Sequence, residues 1–404
     1  MQIAIISSGN LDDMKGIMNY VHEKTSRLRS YTEEEMNVDV FLLHQCSTKL
    51  FSILQKSRNN IFYSQKPLKT SKNGIVYNEI WYKYGLIDSL FTSKILGRPI
   101  NKYYERRIVP LFKQYDIIVS HNPICHYLAM RIRDRYGTPI VATWHGSDIN
   151  IFPKVHRWQY NLVKRELKSL DMNLFVSKAL LKNSNMIVSD GSKDVIYTGP
   201  SSFFYEYSDQ EKLKCREKYA KGKLYSVGYV GNLIPVKNVL VLPQIFKRIE
   251  SEIGTSNVAF IVAGGGGLSD ELKEKLCKVN VDVNMLGNIS PLEVVEVMNS
   301  LDVLILPSIH EGLGLVVLEA YKCGANVVGS NIGGIPEAVG QPENVFDLND
   351  TFIENISNRI IKILIDRIPP RPYDSLFSWD AAVEKEVGIY KKLLGKLKSD
   401  VMKY

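Results

Sequence analysis

The chain has 404 residues, 45% of them hydrophobic and 23% charged, which is typical of a globular protein with room for two domains and excludes a disordered chain. It contains no run of about 18 uncharged apolar residues, and its first ten residues lack the basic segment and cleavage site of a signal peptide, so we expect a cytoplasmic protein. The net charge of +8 is uneven, because residues 1–199 carry 28 Lys and Arg against 17 Asp and Glu. The five cysteines lack metal-ligand spacing, and we expect reduced, mostly buried thiols.

Short apolar runs in the first half are predicted to form strands, because each is separated from the next by a helix-compatible polar stretch. The first run leads through a polar loop into residues 17–28, where apolar residues recur at helical spacing. The predicted strands span residues 3–6, 38–44, 115–121, 139–148 and 171–177. Strands and helices that alternate in this way indicate an α/β fold with a parallel, doubly wound sheet.

The same alternation restarts in the second half, with predicted strands at residues 224–231, 258–267, 281–287, 301–308 and 325–330. Between the halves, residues 197–212 are turn-rich and aperiodic, which puts the domain junction near residue 200. We therefore predict one domain over residues 1–199, a second over residues 200–375 and a closing helix over residues 376–404. Ligand pockets favour such junctions, so a cleft between the two sheets is the expected binding site.

Residues 309–320, IHEGLGLVVLEA, carry two glutamates on either side of a glycine-rich turn. The flanking apolar runs, with Gly324 as a helix stop, predict a strand–loop–helix–strand unit whose loop lies at the carboxyl edge of a parallel sheet. Glu311 would then face the ligand, and the helix amides at 314–316 would favour a phosphate. Glu319, further along the helix, can accept hydrogen bonds from a ribose diol. The segment therefore predicts a sugar nucleotide as the ligand.

Three further stretches contain residues suited to the same ligand, although each has an ordinary structural explanation. Gly16 precedes the first helix, where it either only makes a turn or forms part of a phosphate-binding site at the start of the helix. His145 ends a strand and is either a satisfied structural histidine or a partner for a sugar hydroxyl. Lys237 follows a strand and is either a surface lysine or the cation that neutralises a departing diphosphate. The glycine run at 263–267 does not fit the dinucleotide-binding pattern, because no acidic residue ends the next strand at the required distance.

Positive charge is concentrated in two segments of the first half. Residues 49–78 contain six Lys and Arg and no acid, and residues 94–113 contain six against Glu105 alone, with Tyr103 and Tyr104 among them. These segments form either a solvated surface or a surface for anionic lipid headgroups or a pyrophosphate-linked acceptor. Nucleic acid is not an expected partner, because no RNA-binding or DNA-binding motif accompanies the charge.

Together these motifs resemble the GT-B glycosyltransferases, and within them the retaining family 4, over nearly the whole chain. Glu311 and Glu319 are separated by seven residues, as in that family's signature. The stretches GGIPE at 333–337, HGSD at 145–148 and VGNLIPVKN around Lys237 are similar to its other motifs. Residues 377–390 are similar to its closing helix, which crosses back to the first domain. The resemblance implies the GT-B fold, in which two Rossmann-like, doubly wound domains face a central cleft.

The resemblance also implies a role for each matched residue. Glu311 would contact the donor hexose, Glu319 the ribose hydroxyls and Lys237 the diphosphate, and His145 would lie near the transferred sugar. The other implied donor-binding positions are Gly16, Gly287, Asn288, Gly312, Leu313, Gly314, Leu315 and Val316.

One position departs from the family's pattern. Where the family usually has an arginine five positions before the lysine, this chain has Asn232. An amide cannot replace the charged, two-pronged contact that a guanidinium makes with a phosphate. We hypothesise that Lys15, next to Gly16, supplies the missing cation.

The implied reaction transfers a hexose or N-acetylhexosamine from a nucleoside diphosphate sugar, with UDP favoured, to a hydroxyl with retention at the anomeric carbon. The leaving phosphate oxygen takes the acceptor's proton, so no side-chain base is required. No Asp-x-Asp pair ends a predicted strand, and neither a metal nor another cofactor is expected. The basic first domain, including Trp158, resembles the membrane-leaning face of enzymes that extend lipid-linked glycans. We therefore expect a lipid-linked glycan acceptor in bacterial surface polysaccharide synthesis, and a peripheral position at the inner face of the plasma membrane.

Two other classes of protein stay open. The GT-B fold also supports sugar-nucleotide epimerases, although the family 4 signature argues against that activity. A catalytically weak scaffold that only binds a sugar nucleotide is the second alternative, and Asn232 makes it conceivable.

Overall fold

The computed structural model describes residues 1–11, 16–32, 35–47, 68–84 and 98–401. The chain folds into two compact units: unit 1 comprises Met1–Tyr197 together with Trp379–Tyr404, and unit 2 comprises Thr198–Ser378. The chain therefore leaves unit 1 close to the predicted junction at residue 200. The predicted closing helix is part of unit 1 from Trp379 onwards.

Unit 1 is built on a sheet whose described strands follow the order β3-β4-β2-β1-β5-β6-β7-β8. The strands are β1 (Gln2–Ser7), β2 (Asn37–Ser47), β3 (Leu68–Lys72), β4 (Ile75–Tyr84), β5 (Ile117–His121), β6 (Ile140–Trp144), β7 (Met172–Phe175) and β8 (Lys193–Val195). All residues of β5 and β6 are buried, as expected for parallel strands covered on both faces. Their carboxyl ends bring His121 and His145 to the same edge of the sheet.

The sheet of unit 1 is parallel, as predicted, except for one described pair of strands at its edge. β3 pairs antiparallel with β4, and Asn73 and Gly74 connect them with φ angles of 48° and 78°. An Asn-Gly pair between two strands favours the tight turn of a hairpin, since both residues tolerate positive φ. This signal lies within the segment 49–78, which was predicted only as a basic stretch.

Helices cover the sheet of unit 1. Those of the described part are α1 (Ile17–Arg29), α2 (Lys102–Ile108), α3 (Pro123–Tyr136), α4 (Ser147–Asn150), α5 (Phe152–Val155), α6 (Arg157–Ser169), α7 (Lys178–Ile187) and the closing helix, named α15 (Trp379–Val401) because it ends the chain. No helix in the described ranges is long and apolar enough to cross a bilayer.

Unit 2 repeats the architecture on a sheet of order β11-β10-β9-β12-β13-β14. Its strands are β9 (Tyr225–Val230), β10 (Val258–Ala263), β11 (Val283–Gly287), β12 (Val303–Leu306), β13 (Asn326–Ser330) and β14 (Val345–Phe346). Its helices are α8 (Asp209–Ala220), α9 (Leu242–Ile253), α10 (Ser269–Lys278), α11 (Pro291–Ser300), α12 (Leu315–Lys322), α13 (Ile335–Val339) and α14 (Phe352–Ile365). All neighbouring strands of this sheet run parallel.

The stretch 197–212, predicted as aperiodic, ends in the first residues of α8. Ser208 caps that helix and accepts a hydrogen bond from the Glu211 N–H, while the Glu211 carboxylate accepts one from the Ser208 N–H. Such a reciprocal capping box is a sequence signature of a helix start, and it was not among the features predicted for this stretch.

The closing helix α15 is held to α1 by a fully buried ion pair. Lys24 Nζ lies 2.7 Å from Glu386 Oε1, and each side chain is only 1% exposed. The Tyr390 hydroxyl donates to the other Glu386 oxygen at 2.9 Å, and Lys24 donates to Thr143 Oγ1 at 3.3 Å. Loss of one partner from such a pair leaves an uncompensated buried charge, at a cost of about 3–5 kcal/mol. The pair therefore fixes α15 on the same face of the sheet as α1.

Candidate functional site

Loops of unit 2 meet at the carboxyl edge of its sheet, where β9, β10 and β11 end side by side. The Gly231 N–H donates to the Ala263 carbonyl at 2.9 Å, and the Gly264 N–H donates to the Gly287 carbonyl at 2.7 Å. A Cβ at Gly264 would lie only 1.9 Å from the Gly231 oxygen, so the approach of the two backbones requires glycine. Gly264 therefore serves close packing of two loops, as does Gly266, where a Cβ would lie 2.3 Å from the Leu233 carbonyl oxygen.

Lys237 and Glu311 form the charged centre of this edge. Lys237 ends a 3₁₀ turn after β9, and its Nζ lies 3.0 Å from Oε1 and 2.7 Å from Oε2 of Glu311. Backbone contacts fix both loops: the Ile309 N–H donates to the Val236 carbonyl at 2.8 Å, and a Cβ at Gly333 would lie 2.1 Å from the Glu311 carbonyl oxygen. With the two side chains 21% and 13% exposed, the pair is weakly screened by solvent.

The loop after Glu311 leads directly into α12. Gly312 and Leu313 form the turn, and Gly314 precedes the helix with φ of 87°. Leu315 and Val316 are its first two residues, and the N–H groups at such a position have no partner within the helix. The start of α12 can therefore donate to an anion beside the Lys237–Glu311 pair.

Glu319 lies one turn further along α12 and is half-buried. Burial raises the pKa of its carboxyl to about 7. Within the described ranges no lysine, arginine or histidine forms an ion pair with it. A carboxylate without a cationic partner is free to accept hydrogen bonds from hydroxyl groups of a ligand.

The remaining predicted residues of unit 2 border the same edge. Asn232 is exposed in the loop after β9, and its carbonyl accepts from the Tyr229 hydroxyl at 2.9 Å. Gly287 ends β11, and Asn288 is exposed with its side-chain amide beside Gly265. The structure thus brings the residues predicted in the second half of the chain to one sheet edge.

His145 follows β6 in unit 1, in a turn that Asp148 holds. The Asp148 carboxylate accepts from the N–H groups of His145 (2.8 Å), Gly146 (2.8 Å) and Ile149 (3.1 Å). Burial raises the pKa of Asp148 to about 6, although these hydrogen bonds oppose the shift. Burial, with the nearby Lys24 ammonium, lowers the pKa of His145 to about 3. His145 is therefore neutral at physiological pH.

Aromatic and histidine side chains that were not predicted from the sequence surround His145. His121 Nδ1 lies 2.9 Å from His145 Nε2, and the Tyr20 ring packs edge-on against the His145 ring at 4.8 Å between centroids. Trp379, the first residue of α15, packs against Tyr20 with 5.0 Å between the ring centroids. The sequence pattern indicates that His121 ends a strand and that Tyr20 lies on the apolar face of a helix. Only the folded unit shows that these side chains contact one another.

Gly16 connects to this cluster through α1. It precedes the helix with φ of 54°, and its carbonyl accepts from the Tyr20 N–H at 3.1 Å. Unit 1 therefore places the predicted residue Gly16 beside the backbone of Tyr20 and the predicted residue His145 beside its ring. The third, Lys15, lies outside the described residues.

No group of three or more His, Cys, Asp and Glu side chains in the described part of the chain is arranged to hold a metal ion. Cys125, Cys215 and Cys323 are buried free thiols, and Cys277 is an exposed one. Metal independence stays a prediction.

Two Rossmann-like units of this kind define the GT-B class of glycosyltransferases, and comparison with solved structures supports the same class. Sucrose-phosphate synthase from Thermosynechococcus elongatus superimposes with a TM-score of 0.72 at 17% identity, over 98% of this chain and 99% of that one. HepE from Anabaena, in complex with UDP and glucose, superimposes with a TM-score of 0.67 at 17% identity over the same shares. At this identity the likeness concerns the fold alone.

Sequence comparison adds the family. Residues 211–374 match the family described as glycosyl transferases group 1, and residues 77–199 match glycosyltransferase family 4. O-antigen chain mannosyltransferase B of Escherichia coli is 26% identical over 309 residues, which are 72% of this chain and 78% of that protein. The chain belongs to the GT-B glycosyltransferases of the family 4 type, which use nucleotide sugars.

The raised pKa of Glu319 predicts a pH-dependent stability of unit 2. Because the fold favours the neutral carboxyl, its stabilising contribution is complete below the unfolded-state pKa and is lost as pH rises through about 7. Glu319→Gln removes this loss, so the variant gains more free energy of unfolding relative to wild type at pH 8 than at pH 5. Urea unfolding followed by far-UV circular dichroism measures the difference, since the four tryptophans all lie in unit 1.

The exposed Glu252 on α9 provides the matched control. Glu252→Gln should show the same difference from wild type at both pH values. An equal effect of Glu319→Gln at pH 5 and pH 8 would contradict the assignment.

Proposed function

We propose that the protein transfers a hexose or N-acetylhexosamine from a nucleoside diphosphate sugar to a hydroxyl acceptor, with retention at the anomeric carbon and without a metal ion. The observation that carries the proposal is the arrangement of Lys237, Glu311 and Glu319 around the start of α12. Lys237 and the backbone amides at the start of α12 suit a diphosphate, whereas the Glu311 carboxylate suits a hexose and the Glu319 carboxylate a ribose.

In the proposed reaction the acceptor oxygen bonds to the anomeric carbon while the bond from that carbon to the phosphate oxygen breaks. The hydroxyl proton passes to the departing phosphate oxygen, and the products are a glycoside and a nucleoside diphosphate. Lys237 and the first amides of α12 stabilise the charge that develops on the diphosphate. Glu311 holds the hexose hydroxyls and Glu319 the ribose, so the chain's contribution is orientation and charge stabilisation.

UDP is the favoured nucleotide. The structural neighbour HepE is a complex with UDP and glucose, which supports a uridine nucleotide for this fold. Base contacts would come from the backbone around Gly287 and Asn288, where β11 ends. The mannosyltransferase relative supports a hexose as the transferred group.

Asn232 favours one alternative, a scaffold that binds the sugar nucleotide and turns it over weakly or not at all. Its exposed amide lies in the loop that leads to Lys237, where it cannot supply the positive charge of a guanidinium. Under the transferase proposal Lys15 makes up for this charge.

A ligand panel tests the donor proposal. We expect one of UDP, GDP, ADP or their common sugars to raise the melting temperature in the presence of EDTA, since a ligand at about 100 times its Kd stabilises by roughly 2.7 kcal/mol. Glu319→Ala should lose the shift because the ribose loses its acceptor, whereas Glu252→Ala on an exposed face should keep it.

Each negative result has a defined meaning. If no nucleotide stabilises the wild type, the sugar-nucleotide proposal is contradicted. Stabilisation without turnover on any acceptor extract would favour the scaffold, and stabilisation that disappears with EDTA would contradict metal independence.

We also propose that the acceptor is a lipid-linked glycan and that unit 1 docks on an anionic membrane surface. Near α5 and α6 the chain exposes apolar and basic side chains together: Ile151, Val155 and Tyr160, with Lys154, Arg157, Lys164 and Arg165. On α2, Arg106 and Arg107 are exposed, and the Arg107 guanidinium lies 4.5 Å from the centroid of the exposed Tyr103 ring. Basic side chains beside exposed apolar or aromatic ones, as in each of these two patches, suit a membrane interface.

Vesicle sedimentation tests this docking. Replacing both Arg106 and Arg107 with Gln should weaken binding to anionic vesicles by about 2 kcal/mol, since each cation near such a surface contributes about 1 kcal/mol. Binding of the wild type should also fall with salt. The control, Lys273→Gln with Lys278→Gln, removes the same charge from exposed positions on α10 and should bind like wild type. Binding that is absent, or insensitive to salt, would count against the proposal.

A further inference from the structure

Two histidines share one hydrogen bond at the carboxyl edge of unit 1. His121 ends β5 and is fully buried, and its Nδ1 lies 2.9 Å from Nε2 of His145 beyond the end of the neighbouring β6. Tyr20 packs edge-on against both rings, with centroids 5.6 Å from His121 and 4.8 Å from His145. The two rings are therefore held in a fixed arrangement by residues on three elements.

Only one proton can lie between these two nitrogens. Burial and the nearby Lys24 ammonium lower the pKa of both His121 and His145, so both imidazoles are neutral and each carries one N–H. Either His121 donates from Nδ1, or His145 donates from Nε2. The choice decides which nitrogen of His145 carries its proton.

The other nitrogen of His121 resolves the choice. Its Nε2 is buried and has no hydrogen-bond partner among the residues that the structure describes. If His121 accepted at Nδ1, this Nε2 would carry a buried N–H without a partner, and such donors are rarer than buried acceptors without one. His121 therefore carries its proton on Nδ1, and that proton points at His145.

We propose that His121 is a positioning residue that donates its Nδ1–H to His145 Nε2 and thereby fixes the His145 proton on Nδ1. This inference rests on the proposed function. With its proton on Nδ1, His145 has one role in the reaction, which is to donate a hydrogen bond from Nδ1 to an oxygen of the transferred sugar. His145 is then not a general base: Nε2 is occupied, Nδ1 is already protonated, and the acceptor's proton goes to the departing phosphate. Asp148 fixes the His145 backbone, and His121 fixes its ring.

Long-range ¹H–¹⁵N correlation spectra of the full chain, labelled with ¹⁵N-histidine, test the proposal without any substrate. At neutral pH the His145 ring should show a protonated Nδ1 and an unprotonated Nε2, with its signals assigned by their loss in His145→Asn. A proton on Nε2, or on both nitrogens, would overturn the proposal.

Two variants separate positioning from mere packing. In His121→Asn the side-chain amide offers an N–H near the former Nδ1, so His145 should keep its proton on Nδ1. In His121→Leu the donor is gone, and His145 should shift toward the Nε2-protonated form. A His145 tautomer that is the same in both variants would contradict a positioning role. If His121→Leu does not fold by circular dichroism, the wild-type tautomer and His121→Asn still decide.

The kcat/KM values of the His121 variants test whether the His145 tautomer matters for catalysis. Once a donor and acceptor are found, kcat/KM of His121→Leu should fall by about two- to tenfold, the effect of one hydrogen bond, and His121→Asn should restore most of it. An unchanged kcat/KM in His121→Leu would overturn the assigned task of His145. A wild type that turns over no sugar nucleotide would instead refute the proposed function, while the tautomer measurement would still decide the role of His121.

Discussion

The contact between Lys237 and Glu311 is the interaction on which the architecture of the unit 2 site depends. The ammonium lies within 3.0 Å of both carboxylate oxygens, in a site where solvent screens the charges weakly. Before a ligand binds, the two charges compensate each other, so neither side chain carries the desolvation penalty of an unpaired charge in a partly buried site. A diphosphate would bring stronger negative charge to the same ammonium and leave Glu311 free for sugar hydroxyls. The pair thus keeps a cation and an acceptor ready at the start of α12.

Backbone geometry, more than side-chain chemistry, makes that pair possible. In a parallel sheet the strands end at a common edge, so loops distant in sequence meet there. The glycines at 264 and 333 let one loop backbone touch another, and a Cβ at either position would collide with a carbonyl oxygen. In unit 1 a buried polar cluster has the corresponding role. The Lys24–Glu386 pair holds α15 against α1, and Tyr20 on α1 packs against both His145 and Trp379, the first residue of α15.

Much of the fold could be predicted from the sequence because buried parallel strands are continuous apolar runs, and the predicted runs coincide with β1, β2, β5–β7 and β9–β13. The hairpin of β3 and β4 was missed because β3 is polar and basic, although Asn73 and Gly74 mark the turn and β4 is largely apolar and aromatic. The position of Glu311 and Lys237 at the carboxyl edge of the sheet could be predicted because each lies in a loop that follows a strand, and Glu319 lies on the helix that begins after one of these loops. His121 was not, because its significance depends on pairing with His145 across two strands, and no spacing along the chain encodes that contact.

Isothermal titration of a nucleoside diphosphate into Lys237→Met and Glu311→Gln tests the central claim most directly. We predict that Lys237→Met weakens binding by about tenfold or more, as expected for a hydrogen bond to a charged group. Glu311→Gln should bind at least as tightly as wild type, because the lysine is released from its partner and a negative charge is removed from beside the diphosphate. Lys214→Met, on an exposed face of α8, is the control for loss of a lysine and should bind like wild type. Unchanged affinity in Lys237→Met, with affinity lost in Glu311→Gln, would contradict the role assigned to the pair.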